Sequence, residues 1–232
     1  MPRNDERREA LKACAEDARG CTRCPELAAS RTQVVFGTGD PDADVMFVGE
    51  APDRQDDALG VPLAGRSGAL LDEMLAEIGL RREDVYVTAA LKCRPADNRD
   101  PAPAELERCR SYLERQIELV RPRVVCTLGN AATRLLRGEP TPITAIHGQP
   151  ESREIGGVAV RLYPLFHPDA ALYRSAGVEL LRADFARLPE LLAMPVPERT
   201  PASPDADVVP PGEDPAPGPD EDSSAAAQLG LF

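Results

Sequence analysis

The 232-residue chain has no apolar run approaching the roughly 20 residues that cross a bilayer as a helix. Its start, Met1-Pro2-Arg3-Asn4-Asp5, opens a charged stretch without a signal-peptide core. These absences set the expectation of a cytoplasmic protein with no membrane contact. Positive charge is scarce, with a formal net charge of -12, and lysine occurs only at Lys12 and Lys92. Nearly all basic residues are therefore arginine, whose planar fork suits two-point contacts to phosphate. Histidine occurs only at His147 and His167, and no internal repeat is present. A uniform charge of -12 would disfavour a nucleic-acid partner, but the charge is not uniform. From Glu198 onward eight acids face a single base, Arg199, so that stretch carries -7 and the rest only -5. A local basic face remains available.

What is present begins with Asp44-Val45-Met46-Phe47-Val48-Gly49-Glu50-Ala51-Pro52-Asp53, an apolar run that ends at a glycine, a carboxylate and a proline. A short run of this kind predicts a buried parallel strand feeding a tight turn. The turn then lies at the carboxyl edge of a sheet, where open α/β folds place their chemistry. Glu50 would stand at the mouth of a cleft, although an ordinary strand-to-loop junction with a solvated glutamate gives the same local pattern. Further strands are predicted over 84–91, 123–129 and 157–166, and helices over 5–19, 69–80, 102–120, 130–136 and 178–192. Alternation of the two predicts an α/β, three-layer αβα sandwich around a mostly parallel sheet. The domain is expected to occupy residues 1–195, followed by a disordered acidic linker rich in proline and alanine over 196–227 and a terminal peptide over 228–232.

Six cysteines in a reducing compartment point to metal ligands, redox centres or core packing before disulfides. Cys21 and Cys24 sit in a Gly-Cys-x-x-Cys-Pro turn with no apolar periodicity to account for them, and that spacing aims both sulfurs at one centre. Cys93 and Cys109 supply two more thiols. The set would serve a cubane iron–sulfur cluster or structural zinc. Cys109 also falls on an apolar helical face and would serve as core; Cys14 reads as packing.

Gly49-Glu50-Ala51-Pro52, Lys92-Cys93-Arg94-Pro95 with Asn98-Arg99-Asp100-Pro101, Thr127-Leu128-Gly129-Asn130, and His167-Pro168 occur in this order between about residues 13 and 192. Together they resemble the family 4 uracil-DNA glycosylases. The resemblance implies a 4Fe-4S cluster on Cys21, Cys24, Cys93 and Cys109, with a structural task near the DNA, and leaves Cys14 and Cys126 spare. It implies uracil-containing DNA as partner, a monomer, and hydrolysis of the N-glycosidic bond of a flipped uracil. His167 would donate a hydrogen bond to uracil O2. Glu50 or Asp56 would position water or stabilise the sugar cation. Gly49, Ala51, Pro52, Asp53, Leu63 and Ala89 would form the base pocket. Arg66, Ser67, Leu172, Tyr173 and Arg174 would contact DNA, with Leu172 and Tyr173 as the wedge; Arg94 and Arg99 are further candidates for phosphate. His147 reads as loop structure or a phosphate contact.

Four pocket positions depart from the family pattern. Asp53 stands where the family has glycine, Leu63 where it has a stacking phenylalanine, Ala89 where it has a base-reading asparagine, and Asp56 where it has glutamate. The favoured reading is uracil excision by a remodelled pocket. The alternatives are a glycosylase for other deaminated bases, with Asp53 accepting from a base N–H, or a non-catalytic iron–sulfur DNA-binding protein.

The last residues, Gln228-Leu229-Gly230-Leu231-Phe232, resemble the short clamp-binding peptide of replication and repair proteins, with Gln228, Leu229, Leu231 and Phe232 as its anchors. Three large apolar side chains on an acidic tether suit a preformed pocket on a sliding clamp. Deleting residues 228–232 is expected to leave cleavage of short uracil oligonucleotides unchanged in a steady-state assay; a large loss of that activity would sink the tether role.

Overall fold

The computed structural model describes residues 4–173 and 176–197; Arg174, the acidic linker from residue 198 onward and the candidate clamp peptide lie outside the described residues. The elements in chain order are α1 (Asn4–Arg19), α2 (Pro25–Ser30), β1 (Thr38–Gly39), β2 (Val45–Gly49), α3 (Arg54–Leu59), α4 (Arg66–Glu77), β3 (Tyr86–Ala89), α5 (Pro103–Val120), β4 (Val124–Leu128), α6 (Asn130–Arg137), α7 (Ile143–Ile146), β5 (Glu151–Ile155), β6 (Val158–Leu165), α8 (Pro168–Leu172), α9 (Gly177–Phe185) and α10 (Leu188–Ala193). The strands form one sheet in the order β1-β3-β2-β4-β6-β5. Its four central strands are parallel, and β1 and β5 pair antiparallel at the edges.

Parallel strands need cover on both faces, and β2 is buried at all five positions. Strand alternation sorts its side chains. Met46 and Val48 pack with Leu11 of α1 and Leu113 and Ile117 of α5. Val45 and Phe47 pack with Leu71 and Met74 of α4 and Phe185 of α9 on the other face. Two separate apolar clusters with the sheet between them give the three layers. No helix among the described residues is long and apolar enough to cross a membrane.

Beyond the short elements β1, α2, α3, α7 and α8, which the sequence reading did not include, the fold differs from expectation at its C-terminal helix and at one sheet edge. The helix expected over 178–192 is two, α9 and α10, because Pro189 in the first turn of α10 has no N–H to continue a helix and its ring would strike the carbonyl one turn back. Leu181, Phe185, Leu188 and Leu191 nonetheless share one core. Strand β5 was not anticipated, since Glu151-Ser152-Arg153-Glu154 is polar. It is an edge strand closed onto β6 by Gly156 and Gly157, both left-handed (φ 57° and 72°), the geometry of a two-residue hairpin.

Buried Asp57 joins the segment after α2 to α3. Its carboxylate accepts from Thr32 N (2.9 and 3.0 Å) and Gln33 N (3.3 Å), and Arg94 Nε donates to it at 3.4 Å. Burial raises its pKa, but these hydrogen bonds overcome burial and hold the group below its ordinary value. The stability it supplies is therefore present above the unfolded-state pKa and is lost as pH falls through the lower folded-state pKa. Asp57→Ala is expected to cost about 3 kcal/mol in urea unfolding at pH 7, because two backbone N–H groups and a partly buried arginine lose their acceptor. The difference from wild type should shrink at acidic pH, below about 3.9; a pH-independent difference would contradict the assignment.

Candidate active site

Strands β2, β3, β4 and β6 run the same way, so the segments that follow them converge at one edge: Glu50–Asp53, Ala90–Cys93, Gly129–Asn130 and Phe166–Pro168. The β2–β3 ladder continues past both strands, with Ala90 N donating to the Gly49 carbonyl (2.8 Å) and Leu91 N to that of Glu50 (2.9 Å). Glu50 is thereby anchored through its backbone while its side chain leaves the sheet.

A cavity of about 310 Å³ opens at this edge, and its lining brings together Glu50, Ala51, Pro52, Asp53 and His167. The lining also includes Asn98, Asp100 and Asp169. Asp100 and Asp169 were not singled out from the sequence, although each lies inside a motif that was. Asp97 and Asn98 are both left-handed (φ 54° and 52°), a backbone that asparagine and aspartate tolerate better than most residues and that carries Asn98 and Asp100 to the cavity.

His167 is the N-cap of α8, and its Nδ1 accepts from Asp169 N at 3.2 Å. An accepting Nδ1 carries no proton, so the neutral ring bears its hydrogen on Nε2. Burial lowers the pKa of the ring, against a weaker opposing pull from Asp169 and Asp53, so it stays neutral through physiological pH. A Cβ at Gly49 would lie 4.0 Å from His167 Nε2, in ordinary contact, which puts the end of β2 beside the ring. Glu50 is pushed above its ordinary pKa, first by burial and then by the charge of Asp100. The cavity therefore pairs a neutral N–H donor with a carboxylate that takes up protons readily.

Asp53 and Asp56 both hold backbone N–H groups. Asp53 caps α3, its Oδ1 accepting from Gln55 N (2.7 Å) and Asp56 N (2.8 Å). Asp56 is 4% exposed, and its two oxygens accept from Ala64 N (2.7 Å), Leu63 N (3.1 Å) and Asp53 N (3.4 Å). A carboxylate holding three backbone N–H groups clamps the loop between α3 and α4. Sequence reasoning missed this because Asp53-x-x-Asp56 is a capping box as well as a motif position.

Leu63 is held in a left-handed conformation (φ 51°), and its carbonyl accepts from Arg82 Nη2 at 3.1 Å. A Cβ at Gly68 would meet that carbonyl at 1.7 Å, so only glycine lets α4 approach the loop. Leu63 is buried in the same apolar cluster as Phe47. Ala89 is buried as well and pairs with Gly49 in the ladder. Both therefore back the cavity from the core, and neither is among the residues that line it.

Of the DNA-contact candidates, Arg66 is exposed at the start of α4 and Ser67 is buried beside it. Arg94 pairs with Asp57, and Arg99 with Glu105 at 2.6 Å, so both guanidinium groups already have partners. Tyr173 is 76% exposed, whereas Leu172 packs against the core. His147 Nδ1 lies 2.8 Å from Asp184 Oδ2 and its ring packs on Phe166, a structural pair.

On the other side of Leu91 a small cavity is lined by Cys21, Cys24, Cys93 and Cys109 together. Arg23 Nε donates to Cys21 Sγ (3.3 Å) and Arg31 Nη1 to Cys93 Sγ (3.2 Å). No group of three His, Cys, Asp or Glu side chains among the described residues is arranged to hold a single metal ion. Cys126 is buried inside β4, and Cys14 packs against the core.

The fold and this edge define an α/β protein whose site combines a buried neutral histidine with a carboxylate, and the uracil DNA glycosylase superfamily model matches residues 36–188. The chain belongs to that superfamily. Type-4 uracil-DNA glycosylase of Archaeoglobus fulgidus is 43% identical over 187 residues, covering 79% of this chain and 94% of that protein. The type-4 enzyme of Sulfurisphaera tokodaii is 38% identical over 192 residues (81% and 87%), and that of Thermotoga maritima 42% over 177 residues (76% and 90%). Within the superfamily the chain falls in the type-4 group.

Asp56→Ala is expected to cost about 2–3 kcal/mol, since three backbone donors lose one acceptor. Hydrogen exchange should localise the effect, with Leu63 and Ala64 losing protection before the sheet does; uniform loss across the domain would contradict the loop-clamp role.

Proposed function

We propose that the chain removes uracil from DNA by hydrolysing its N-glycosidic bond, with His167 as the electrophile. The carrying observation is the Asp169 N–H bond to Nδ1, which leaves a neutral Nε2–H on a ring that lines the cavity. A flipped uracil entering the cavity would place O2 against that donor, and the hydrogen bond strengthens as negative charge grows on the departing base. A neutral donor suits this better than a charged one because no desolvated charge faces the ground-state base.

Glu50 holds or activates the attacking water, and with Asp100 it surrounds the sugar with negative charge as positive charge develops there. Asp56 and Arg82 are positioning residues that fix the loop at Leu63. Arg66 would contact phosphate, and exposed Tyr173 would fill the gap left by the flipped nucleotide. Leu63 and Ala89, where the family pattern has a ring and an amide, back the cavity from the core and would shape the base pocket without touching the base.

Cys21, Cys24, Cys93 and Cys109 would hold a 4Fe-4S cluster. Their convergence on one cavity from three separate segments supports this, together with the arginine donors on two of the sulfurs. Four thiols on one cavity match the four thiolates that a 4Fe-4S cluster takes. When bound, the cluster would hold the segments at Cys21 and Cys93 together beside the DNA. The acidic linker and the residues Gln228, Leu229, Leu231 and Phe232 would tether the domain to a sliding clamp.

Single-turnover release of uracil from a labelled oligonucleotide tests the reading. His167→Ala should slow release by roughly 10²- to 10³-fold, and wild-type-like release would overturn the assignment. Because the Glu50 pKa is raised, the wild-type rate should fall on acidification starting above the ordinary glutamate range, as the carboxylate takes up a proton and ceases to act as a base. Glu50→Gln should abolish that acid limb.

A further inference from the structure

Lys92 is a wholly buried lysine with no carboxylate partner among the described residues. Its ammonium has three donors and three acceptors: Thr88 Oγ1 at 2.6 Å, the Ala89 carbonyl at 2.6 Å and Gln116 Oε1 at 2.5 Å. The network has one direction throughout. Thr88 Oγ1 accepts from Lys92 and donates to the Phe36 carbonyl (2.7 Å). Gln116 Nε2 donates to the same carbonyl (2.8 Å) and to the Tyr86 hydroxyl (3.0 Å), which turns its amide oxygen toward Lys92. Burying an ammonium this fully is costly, and a methionine of the same length would fill the space without that cost. What the ammonium adds is a rigid hold on the last carbonyl of β3.

That carbonyl belongs to Ala89, which lies opposite Gly49 in the ladder; the next two N–H groups along the chain bond to Gly49 and Glu50. The residue after Lys92 is Cys93, one of the four thiols that converge behind Leu91. We propose that Lys92 is a positioning residue for base excision: it locks the end of β3, and through it the Gly49–Glu50 edge, to the cysteine-bearing segment. This rests on the catalytic reading of Glu50 and His167 above. In it, the cysteine segment sets the geometry of the base pocket through Lys92 without touching the substrate.

The test compares Lys92→Met, Thr88→Val and Thr88→Ser in full-length protein. The readouts are single-turnover uracil release, affinity for DNA carrying a non-cleavable uracil nucleotide, bound iron per chain, and hydrogen exchange at Ala90 and Leu91. Thr88→Val, which keeps Lys92 and the fold, should slow release roughly tenfold, since small misplacements of reacting groups carry large rate penalties. DNA affinity should change less than about twofold while iron content holds and the two amides exchange faster. Thr88→Ser, which keeps the hydroxyl, should restore rate and protection, and Lys92→Met should go at least as far as Thr88→Val. A Thr88→Val protein with wild-type rate and exchange would overturn the proposal even if Lys92→Met failed to fold. So would rate losses that merely track lost iron. Exchange at the two amides is read independently of turnover, so a wild-type protein that released no uracil would overturn the functional reading and leave the structural link to be decided by exchange alone.

Discussion

The site depends on the pair of backbone hydrogen bonds that carry the β2–β3 ladder beyond its strands, from Ala90 N to Gly49 O and from Leu91 N to Glu50 O. Without them the turn after β2 would be an ordinary loop with a solvated glutamate. With them, the Glu50 backbone is as fixed as the sheet, and the chain that leaves β3 runs directly to Cys93. Rigid placement of a carboxylate at a strand end lets a modest number of side chains perform chemistry on a flipped base, because little reorganisation is left for the moment of reaction.

The cavity lining carries more acids than bases. Glu50, Asp53, Asp100 and Asp169 gather around one neutral histidine. Such a site repels phosphate but favours the positive charge that develops on the sugar as the base leaves. Arg99 is the one arginine in the lining, and its guanidinium is paired with Glu105. Two of the candidates, Arg94 and Arg99, are already paired with Asp57 and Glu105, which leaves exposed Arg66 as the guanidinium nearest in sequence to the pocket loop. The bulk charge of -12 therefore says little about the interface.

The departures from the family pattern fall into two physical kinds. Leu63 and Ala89 are buried behind the cavity, in place of the ring and the amide of the family pattern. Asp53 and Asp56 belong to a capping box, where a carboxylate at each end satisfies backbone N–H groups that glycine would leave to water. Asp53 thus has its own structural reason to be present, independent of any base N–H.

The sequence alone determined the layer architecture, since runs such as Val45–Gly49 and Val124–Leu128 are apolar at every position and only a sheet covered on both faces accommodates them. It also marked Glu50 and His167, because each ends a strand before a proline. The short edge strand β5 and the break before Pro189 were less legible, being set by a hairpin and by one missing N–H. Tertiary structure alone decided which carboxylates are free. Asp56 and Glu50 look equally available in the sequence, yet Asp56 meets the N–H groups of Leu63 and Ala64 while Glu50 meets an open cavity. It also gave Lys92 its place, since its acceptors come from β3 and from α5, elements whose distance along the chain conceals that they touch. A side chain's chemistry is written in its own residue, but its partners are supplied by backbone brought from elsewhere, and only folding assigns them.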